Sequence, residues 1–307
     1  METVKTIAVV VNPVAGDHLG ARVWPRIEQQ LVTAFSNRDV SVYQTQSKEH
    51  ATALGASLNA DLVITVSGDG TVHDVAQGIL QRPRANRPAL TVIPIGSGND
   101  YSRTLGISTV PENAVAALHS MVRCATDVGQ CNNTFFLETL SFGVDAAIAI
   151  NTVEMRKTTH TSGTMLYAHA AVLALLHDLR PRHARYTIDG VEHEDDLLIF
   201  AVQNGPTYGS GFRVAPRALI TDGKLNVCTA TRVSTPYALL CLARILRGTH
   251  EGLKPIHTYE AQNLTVDFDT PIPTQCDGEE QEGSRFNITI HPAALDVLVP
   301  PASPILL

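Results

Sequence analysis

The first 127 residues alternate between short apolar runs and longer segments in which apolar residues recur every three or four positions. The runs have the length and β-branched content of strands that are buried on both faces, and the longer segments have the period of amphipathic helices. The predicted strands lie at 7–11, 40–45, 62–66 and 90–94, and the predicted helices at about 21–35, 51–58, 72–80 and 112–121. This order predicts a parallel, Rossmann-like sheet with right-handed crossovers.

Three of these strands end in turns that contain glycine and polar residues. The turns read Asn-Pro-Val-Ala-Gly at 12–16, Ser-Gly-Asp-Gly-Thr at 67–71 and Pro-Ile-Gly-Ser-Gly-Asn-Asp at 94–100. Gly68 and Gly70 permit positive φ and allow a phosphate to approach the backbone, and a following helix N-terminus favours an anion. Because the carboxyl ends of parallel strands meet at one edge of a sheet, we expect a ligand site there.

The pattern changes from about Cys124 onward. Short strand-like runs separated by turn residues predict a mostly antiparallel β-sandwich, interrupted by helices at about 162–179 and 236–246. These runs lie at 134–140, 184–188, 196–203, 224–229, 263–267 and 286–290. We therefore predict an α/β domain at 1–127 and a β-sandwich domain with inserted helices at 128–307, whose last residues could pack back on the first domain.

Composition and charge exclude some classes of function. The chain has 307 residues, of which 44% are hydrophobic and 17% charged, as in globular proteins with ample core. Its net charge of -7 argues against nucleic acid as a partner, because no basic surface is available to neutralise phosphates. No apolar segment approaches about 18 uninterrupted residues, so we expect a cytoplasmic protein without a transmembrane segment. The five cysteines have no paired spacing, which disfavours a zinc site.

The three turns together resemble the signature of the diacylglycerol kinase catalytic domain superfamily, which includes bacterial diacylglycerol kinases, sphingosine kinases and ceramide kinases. Later motifs extend the resemblance over nearly the whole chain. It implies an ATP- and Mg²⁺-dependent lipid kinase that transfers the γ-phosphoryl group to a lipid hydroxyl, with diacylglycerol as the default acceptor. It also implies peripheral contact with the membrane surface that supplies the lipid, and it leaves a homodimer open.

The resemblance implies a nucleotide site in the first domain. Asp69 and Asp100, joined by Asp127, would organise a magnesium–water network around the phosphates, which suits the preference of Mg²⁺ for oxygen ligands. The residues implied to bind the nucleotide are Asn12, Pro13, Gly16, Thr45, Ser67, Gly68, Asp69, Gly70, Thr71, Ser97, Asn99, Asp100 and Asp127. From the residues alone, Asp69 can instead be a turn aspartate and Asp100 a helix N-cap.

The sequence Thr-Asp-Gly-Lys-Leu at 221–225 resembles an Asp-Gly-x-Leu element of the same superfamily. The resemblance implies a structural magnesium that is held by Asp222 and by the backbone carbonyls of Leu219 and Lys224. The alternative, from the residues alone, is a plain β-turn between two strands.

The sequence Asp-Gly-Glu at 277–279 bears most directly on catalysis. Phosphorylation of an alcohol needs a carboxylate that accepts the hydroxyl proton as the oxygen attacks the γ-phosphoryl group. The resemblance places this base here, as Glu279 with Asp277 as a support or substitute. The alternative is an ordinary turn acid in an acidic loop.

Other features leave alternatives open. Asp17 follows Gly16 where many relatives carry a basic residue, which would remove one contact to phosphate. The acceptor could be a sphingoid base or another long-chain alcohol. An NAD kinase has a similar Gly-Asp-Gly-Thr turn, and a nucleotide or lipid sensor without turnover could keep the fold. An apolar helix at 165–176 and a glycine-rich loop at 205–212 could line an acceptor site.

Overall fold

The computed structural model describes residues 4–158, 164–177 and 180–307. The chain forms two compact units. The first comprises the chain up to Thr126 together with Ala293–Leu307, and the second comprises Asp127–Pro292. Strands β5 (Val122–Cys131) and β15 (Arg285–Val299) contribute residues to both units.

The first unit alternates strands and helices, as the hydrophobic pattern predicts. Its elements are β1 (Thr6–Val11), α1 (Ala15–Ala34), β2 (Asp39–Gln44), α2 (Lys48–Ser57), β3 (Leu62–Ser67), α3 (Asp69–Leu80), β4 (Ala89–Pro94), α4 (Asp100–Thr104) and α5 (Pro111–Ala117). Short 3₁₀ turns lie at Arg84–Asn86 and Leu118–Ser120. Every residue of β3 and β4 is buried, which explains their continuous apolar runs.

The strands of this unit are parallel and lie in the order β2–β1–β3–β4. The end of β15 continues the sheet, with Val297 paired in parallel with Leu90 of β4. The chain passes from β1 to β2 on one side, and β3 then lies on the other side of β1. The strand order therefore reverses between β1 and β3, and parallel sheets bind ligands at the carboxyl ends of strands beside such a switch.

The second unit is built mainly from antiparallel strands. Its strands are β6 (Thr134–Phe136), β7 (Thr139–Gly143), β8 (Arg182–Ile188), β9 (Val191–Gln203), β10 (Leu225–Thr231), β11 (Ile256–Ala261), β12 (Asn263–Phe268), β13 (Thr274–Cys276) and β14 (Glu279–Gln281). Its helices are α6 (Val144–Thr158), α7 (Thr164–His177) and α8 (Thr235–Arg247). A last 3₁₀ turn, Pro304–Leu306, belongs to the first unit.

Strands in the second unit run in the order β14–β13–β7–β9–β8–β12–β15, and β10 pairs with β9 and β11. One core cluster centres on the aromatic side chains of Phe142, Phe200 and Phe286. A second cluster lies among α6, α7, α8 and the loop that carries Tyr208 and Phe212. The predicted combination of a parallel α/β part and a mostly antiparallel β part is confirmed.

Some elements differ from their predicted extents. Helix α1 begins at Ala15 rather than near 21, and β15 is much longer than the predicted run at 286–290. The sequence pattern did not predict α6, β11 or the β13–β14 hairpin. Both ends of the helix predicted at 162–179 lie outside the described residues. Among the described residues, no helix is long and apolar enough to cross a membrane.

Candidate active site

The turns after β1 and β3 are joined by a side-chain hydrogen bond. The Asn12 amide donates to the Thr71 hydroxyl over 2.8 Å, and its carbonyl oxygen accepts the backbone N–H of Val14 at 3.1 Å. The backbone N–H of Asn12 donates to Val66 of β3 at 3.0 Å. Two of the predicted nucleotide-binding turns therefore meet at the carboxyl edge of the sheet.

Asp69 connects the turn after β3 to the turn after β4. Its carboxylate accepts the backbone N–H groups of Asp100 at 3.2 Å and Tyr101 at 3.3 Å, and so caps α4. Burial, and secondly the charge of Asp100, raise the pKa of Asp69 to about 6. The left-handed Asn99 exchanges hydrogen bonds with the backbone of Gly96 at 2.9 and 2.7 Å. Two carboxylates thus lie close together in a buried, oxygen-rich turn.

Gly68 and Gly70 do not adopt the positive φ that the sequence suggested, and Gly68 instead packs closely against Gly96. Gly68 has an extended backbone with φ of -97°, and Gly70 lies inside α3, so neither uses positive φ. A Cβ on Gly96 would lie 2.6 Å from the Cα of Gly68. The turns after β3 and β4 therefore pack backbone against backbone. Gly16 does have positive φ, and a Cβ there would lie 2.1 Å from the carbonyl oxygen of Ile95.

The other predicted nucleotide residues of the first unit occupy the same strand ends. Thr45 directly follows β2, and its backbone N–H donates to Val11 at 2.9 Å. Ser67 is fully buried, and its hydroxyl donates to the carbonyl of Gly68 at 3.2 Å. Pro13 and Ser97 are half-buried in the turns after β1 and β4. The side chain of Asp17 lies outside the described part of the structure.

Asp127 and Asp222 lie close to each other in the second unit. The Asp127 carboxylate accepts the backbone N–H of Gly223 at 2.6 Å, and the backbone N–H of Asp127 donates to Ile220 at 2.7 Å. Asp222 accepts the N–H of Lys224 at 3.0 Å. Burial foremost, and also the charge of Asp127, raise the pKa of Asp222. The carboxylates of Asp222 and Asp127 therefore both bind backbone N–H groups of the turn from Leu219 to Lys224.

The oxygen atoms of these aspartates can be compared with the ligands that Mg²⁺ prefers. Carboxylate and carbonyl oxygens are the ligands that Mg²⁺ prefers, and it keeps several waters, so a pair of carboxylates is a sufficient protein contribution. Within the described residues, no group of three or more His, Cys, Asp or Glu side chains is arranged to hold a metal. The carboxylates of Asp69 and Asp100 at one turn, and of Asp222 beside Asp127 at another, are therefore oxygen donors of the kind that a partly hydrated Mg²⁺ prefers.

Asp277 holds the turn that carries Glu279. Asp277 and Gly278 have φ of 48° and 90°, as the two central residues of a type I′ hairpin turn require. The Asp277 carboxylate accepts three backbone N–H groups of the segment 137–139, at 2.7, 3.0 and 2.9 Å. Its own N–H donates to Thr139 at 2.9 Å. Both carboxylate oxygens are therefore occupied in fixing the turn.

Glu279 is the first residue of β14 and pairs with Cys276 across the turn. Its side chain is half-buried, whereas the next residue, Glu280, is exposed. The clamp at Asp277 fixes the backbone two residues before Glu279. Of the acids in this loop, Glu279 therefore combines a fixed backbone with partial burial.

An apolar cavity lies in the second unit between three helices and the sheet. Its walls come from α6, α7 and α8 on one side, from β9 and β10 on the other, and from the loop with Tyr208 and Phe212. The space between the walls, counting its open mouth, is about 760 Å³. It contains the region that the sequence suggested for the acceptor.

Among the residues that the structure describes, Asp145 is the one carboxylate in the wall of this cavity. It is buried in α6, and the Tyr208 hydroxyl donates a hydrogen bond to its Oδ1 atom. Its Oδ2 atom has no hydrogen-bond partner in the described part of the chain. Burial raises the pKa of Asp145 to about 6, although the Tyr208 and Ser141 side chains act in the opposite sense. A buried carboxylate that interacts with Tyr208 and Ser141 therefore lies in the wall of an apolar space.

A chain of buried polar groups runs from Asp145 to the turn before Glu279. Ser141 interacts with Asp145, and its hydroxyl accepts the side-chain amide N–H of Gln275 at 2.8 Å. The carbonyl oxygen of the Gln275 side chain accepts the backbone N–H of Gly278 at 2.6 Å. Ser141 and Gln275 are both fully buried. The cavity wall and the Asp277–Glu279 turn are thus physically connected.

Sequence reasoning missed Asp145, Ser141 and Gln275. The signal for Asp145 was present, since it is a lone acid inside the apolar sequence Phe-Gly-Val-Asp-Ala-Ala-Ile-Ala-Ile at 142–150. Acids in such surroundings are rarely buried without a specific partner or a function. Ser141 and Gln275 carry no comparable signal, because their role depends on the pairing of β7 with β13.

Comparisons with known proteins match both halves of the chain. The sequence model of the family described as diacylglycerol kinase catalytic domain matches residues 6–131, and that of the YegS C-terminal NAD kinase beta sandwich-like domain matches residues 138–299. A protein named "Probable lipid kinase YegS-like" from Pectobacterium atrosepticum is 30% identical over 254 residues, which cover 80% of each chain. "Diacylglycerol kinase" from Bacillus subtilis is 25% identical over 280 residues, with 90% of each chain covered.

The fold is also similar to solved structures. A crystal structure of a diacylglycerol kinase from Bacillus anthracis superposes with a TM-score of 0.76, covering 98% of this chain and 99% of that chain. The sequences are 20% identical, so this similarity concerns the fold.

Proposed function

The chain belongs to the lipid kinase family whose members combine the diacylglycerol kinase catalytic domain with the YegS-type C-terminal domain, and from this premise we propose that it transfers the γ-phosphoryl group of ATP to the hydroxyl of a lipid in a Mg²⁺-dependent reaction. Diacylglycerol is the default acceptor, and a sphingoid base or another long-chain alcohol is the alternative. The proposal includes peripheral contact with a membrane that supplies the lipid, and a cytoplasmic location.

The nucleotide would bind at the turns after β1, β3 and β4. The hydrogen bond between Asn12 and Thr71 and the backbone packing of Gly68 on Gly96 hold these turns together. Such preorganisation lowers the cost of ordering the loops on binding. Backbone N–H groups of these turns would donate hydrogen bonds to phosphate oxygens.

Mg²⁺ would be held through oxygen ligands at Asp69 and Asp100, joined by Asp127, and a structural ion at Asp222 with the carbonyls of Leu219 and Lys224. When bound at the nucleotide, the ion would neutralise charge on the phosphates. The chain's own contribution is the placement of Asp69, which two backbone N–H groups of α4 orient.

Glu279 is the proposed general base. It would accept the proton of the lipid hydroxyl as the oxygen attacks the γ-phosphoryl group. Asp277 suits the role of support rather than of substitute base, because three backbone N–H groups already occupy its carboxylate. A base on a fixed turn needs little reorganisation when the reaction occurs.

One observation carries the proposal beyond family membership. The turn that holds Glu279 is joined through Gln275 and Ser141 to the wall of an apolar cavity. A lipid kinase needs a place for a hydrocarbon chain and a base near its polar end. The apolar cavity and the turn of the proposed base both lie in the second unit, and this arrangement supports the proposal.

The test is release of ADP in the presence of detergent–lipid micelles, with Mg²⁺ or with EDTA. We expect ADP release that needs both lipid and Mg²⁺, and that Glu279→Gln lowers by about a hundredfold or more, in the range of general acid–base contributions. Glu280→Gln, the matched control on the exposed side of the same hairpin, should keep nearly full activity. Lipid-independent ADP release with NAD as acceptor, or equal activity of the two variants, would contradict the proposal.

A further inference from the structure

The side-chain amide of Asn204 joins two backbone segments of the second unit. Asn204 directly follows β9 and is fully buried. Its Nδ2 group donates to the carbonyl oxygen of Asp127 at 3.0 Å and to that of Leu137 at 2.8 Å. An amide NH₂ group has two donors, so this one group holds the two carbonyls beside each other.

The first of these segments carries Asp127, which the proposed function assigns to the magnesium site. The Asp127 carboxylate accepts the backbone N–H of Gly223 at 2.6 Å, and the backbone N–H of Asp127 donates to Ile220 at 2.7 Å. Both of these contacts come from the turn that contains Asp222. The hydrogen bond from Asn204 to the Asp127 carbonyl comes from a different part of the chain, and it ties this turn to the end of β9.

The second segment holds the turn of the proposed base. The backbone N–H of Leu137 donates to the Asp277 carboxylate at 2.7 Å, whereas its carbonyl oxygen accepts the amide of Asn204. The segment 137–139 is therefore fixed by Asp277 on one side and by Asn204 on the other. A shift of this segment would move the Asp277 carboxylate, and with it the backbone two residues before Glu279.

The burial of Asn204 has a cost that its packing alone does not explain. Its Oδ1 atom is buried and has no hydrogen-bond partner among the residues that the structure describes. A buried acceptor without a partner lowers stability. Only the NH₂ side of the amide can face the two carbonyls, so its orientation is fixed by the connection that it makes. Side chains that are retained at a cost in stability tend to serve function.

We propose that Asn204 is a positioning residue for phosphoryl transfer, which fixes the placement of Asp127 at the proposed magnesium site relative to the turn that carries Glu279. This inference rests on the proposed function and deepens it. Because Asn204 is fully buried between backbone carbonyls, it acts through the groups that it holds. Correct mutual placement of such groups raises the rate of the chemical step more than it strengthens substrate binding. Loss of Asn204 therefore lowers kcat and leaves the KM values unchanged.

The test compares two substitutions of buried amides at the end of the same strand. Asn204→Leu removes both donors and keeps the approximate size of the side chain. Gln203→Met is the matched control, because Gln203 is equally buried and also has an unpartnered oxygen within the described residues, but its amide donates to the Thr139 hydroxyl at 2.6 Å. We expect Asn204→Leu to lower kcat for lipid phosphorylation by about tenfold or more, with KM for ATP and lipid within about twofold of the wild type. Gln203→Met should keep kcat within about twofold.

Two further measurements separate positioning from a general loss of stability. In the background of Glu279→Gln, the change Asn204→Leu should lower kcat by less than about threefold, because the effects of residues that act as a unit do not add. Hydrogen exchange of the full chain without nucleotide should become about tenfold faster at the backbone N–H groups of Leu137 and Glu138 in Asn204→Leu. It should not change there in Gln203→Met. Urea unfolding verifies that each variant is folded.

Several results would overturn the inference. These are equal kcat values for Asn204→Leu and Gln203→Met, a raised KM with an unchanged kcat, or a loss of full size in the background of Glu279→Gln. Because hydrogen exchange is measured without nucleotide, it is independent of turnover. Exchange that changes as expected, in a wild type that phosphorylates no lipid, would contradict the proposed function and support the connection through Asn204. Phosphorylation of lipid at an unchanged kcat in Asn204→Leu would contradict only the inference.

Discussion

Replacement of Asp145 by asparagine is expected to stabilise the protein at neutral pH. Asp145 is buried in an apolar wall, and its pKa is raised from 3.8 to about 6, chiefly by that burial. The folded state therefore holds the ionised carboxylate at a cost that the unfolded chain does not bear. Asparagine has nearly the same shape, carries no charge, and can accept the same hydrogen bond from Tyr208.

The magnitude follows from the two pKa values. Each pKa unit corresponds to about 1.4 kcal/mol, so the ionised form costs about 3 kcal/mol in the folded state. Because the pKa is higher when folded, the wild type bears no cost below about pH 4, a growing cost from about pH 4 to 6, and the full cost above that. Asp145→Asn should thus exceed the wild type by up to about 3 kcal/mol at about pH 8, and this advantage should vanish near pH 4.

The assay is urea unfolding followed by circular dichroism across this pH range, without lipid. Asp61→Asn is a control of opposite sign. The Asp61 carboxylate accepts the backbone N–H groups of Lys5 and Thr6, which lower its pKa. Its stabilisation is present above about pH 4 and lost as the pH falls, so Asp61→Asn should destabilise at neutral pH. A gain from Asp145→Asn that does not change with pH, or a loss at about pH 8, would refute the reasoning.

Three further substitutions test the geometry of the site. Asp277→Ala removes the acceptor of three backbone N–H groups and should lower the free energy of unfolding by about 3 kcal/mol or more. The control Asp269→Ala, in an exposed ion pair, should change it by less than about 1 kcal/mol. Similar values for both variants would show that the Asp277 hydrogen bonds contribute nothing. Gly96→Ala places a Cβ against Gly68 and should weaken ATP binding, measured by calorimetry, by about tenfold or more. An unchanged affinity for ATP would contradict the importance of this backbone packing. Gln275→Leu removes the hydrogen bond to the backbone N–H of Gly278 and should lower kcat by about tenfold without changing the KM for ATP. A change in the KM for ATP alone would argue against a positioning role for Gln275.

The α/β part could be predicted from sequence because its strands are buried on both faces. The continuous apolar runs of β3 and β4 and the period of the following helices carry that information locally. Helix α6 could not be predicted in the same way. Its mixture of Ala, Ile, Val and Asp has no clear apolar face, since part of it lines a cavity and part packs on the sheet.

The same distinction, between local sequence patterns and contacts that only the fold creates, applies to the candidate site residues. Asp69, Asp100 and Glu279 could be selected as candidates because they stand in short motifs, and the Glu279→Gln variant tests the role proposed for Glu279. The role of Asp277 as a clamp depends on backbone N–H groups about 140 residues earlier in the chain, and no local pattern reveals such a contact. The need for Gly68 and Gly96 likewise comes from a contact between two turns. The positive φ that the sequence suggested for Gly68 and Gly70 is not found, and the contact of Gly68 with Gly96 was not predicted.

The most direct test of the central claim is the fate of the γ-phosphate. ATP labelled at that position is incubated with the protein, Mg²⁺ and mixed micelles that contain monoacylglycerol, diacylglycerol or a sphingoid base, and the organic phase is analysed for labelled phosphate monoesters. We predict a labelled lipid whose formation is lost in Glu279→Gln and retained in Glu280→Gln. Label that remains in ATP and inorganic phosphate with every lipid, or that appears in NADP when NAD is supplied, would contradict the assignment as a lipid kinase.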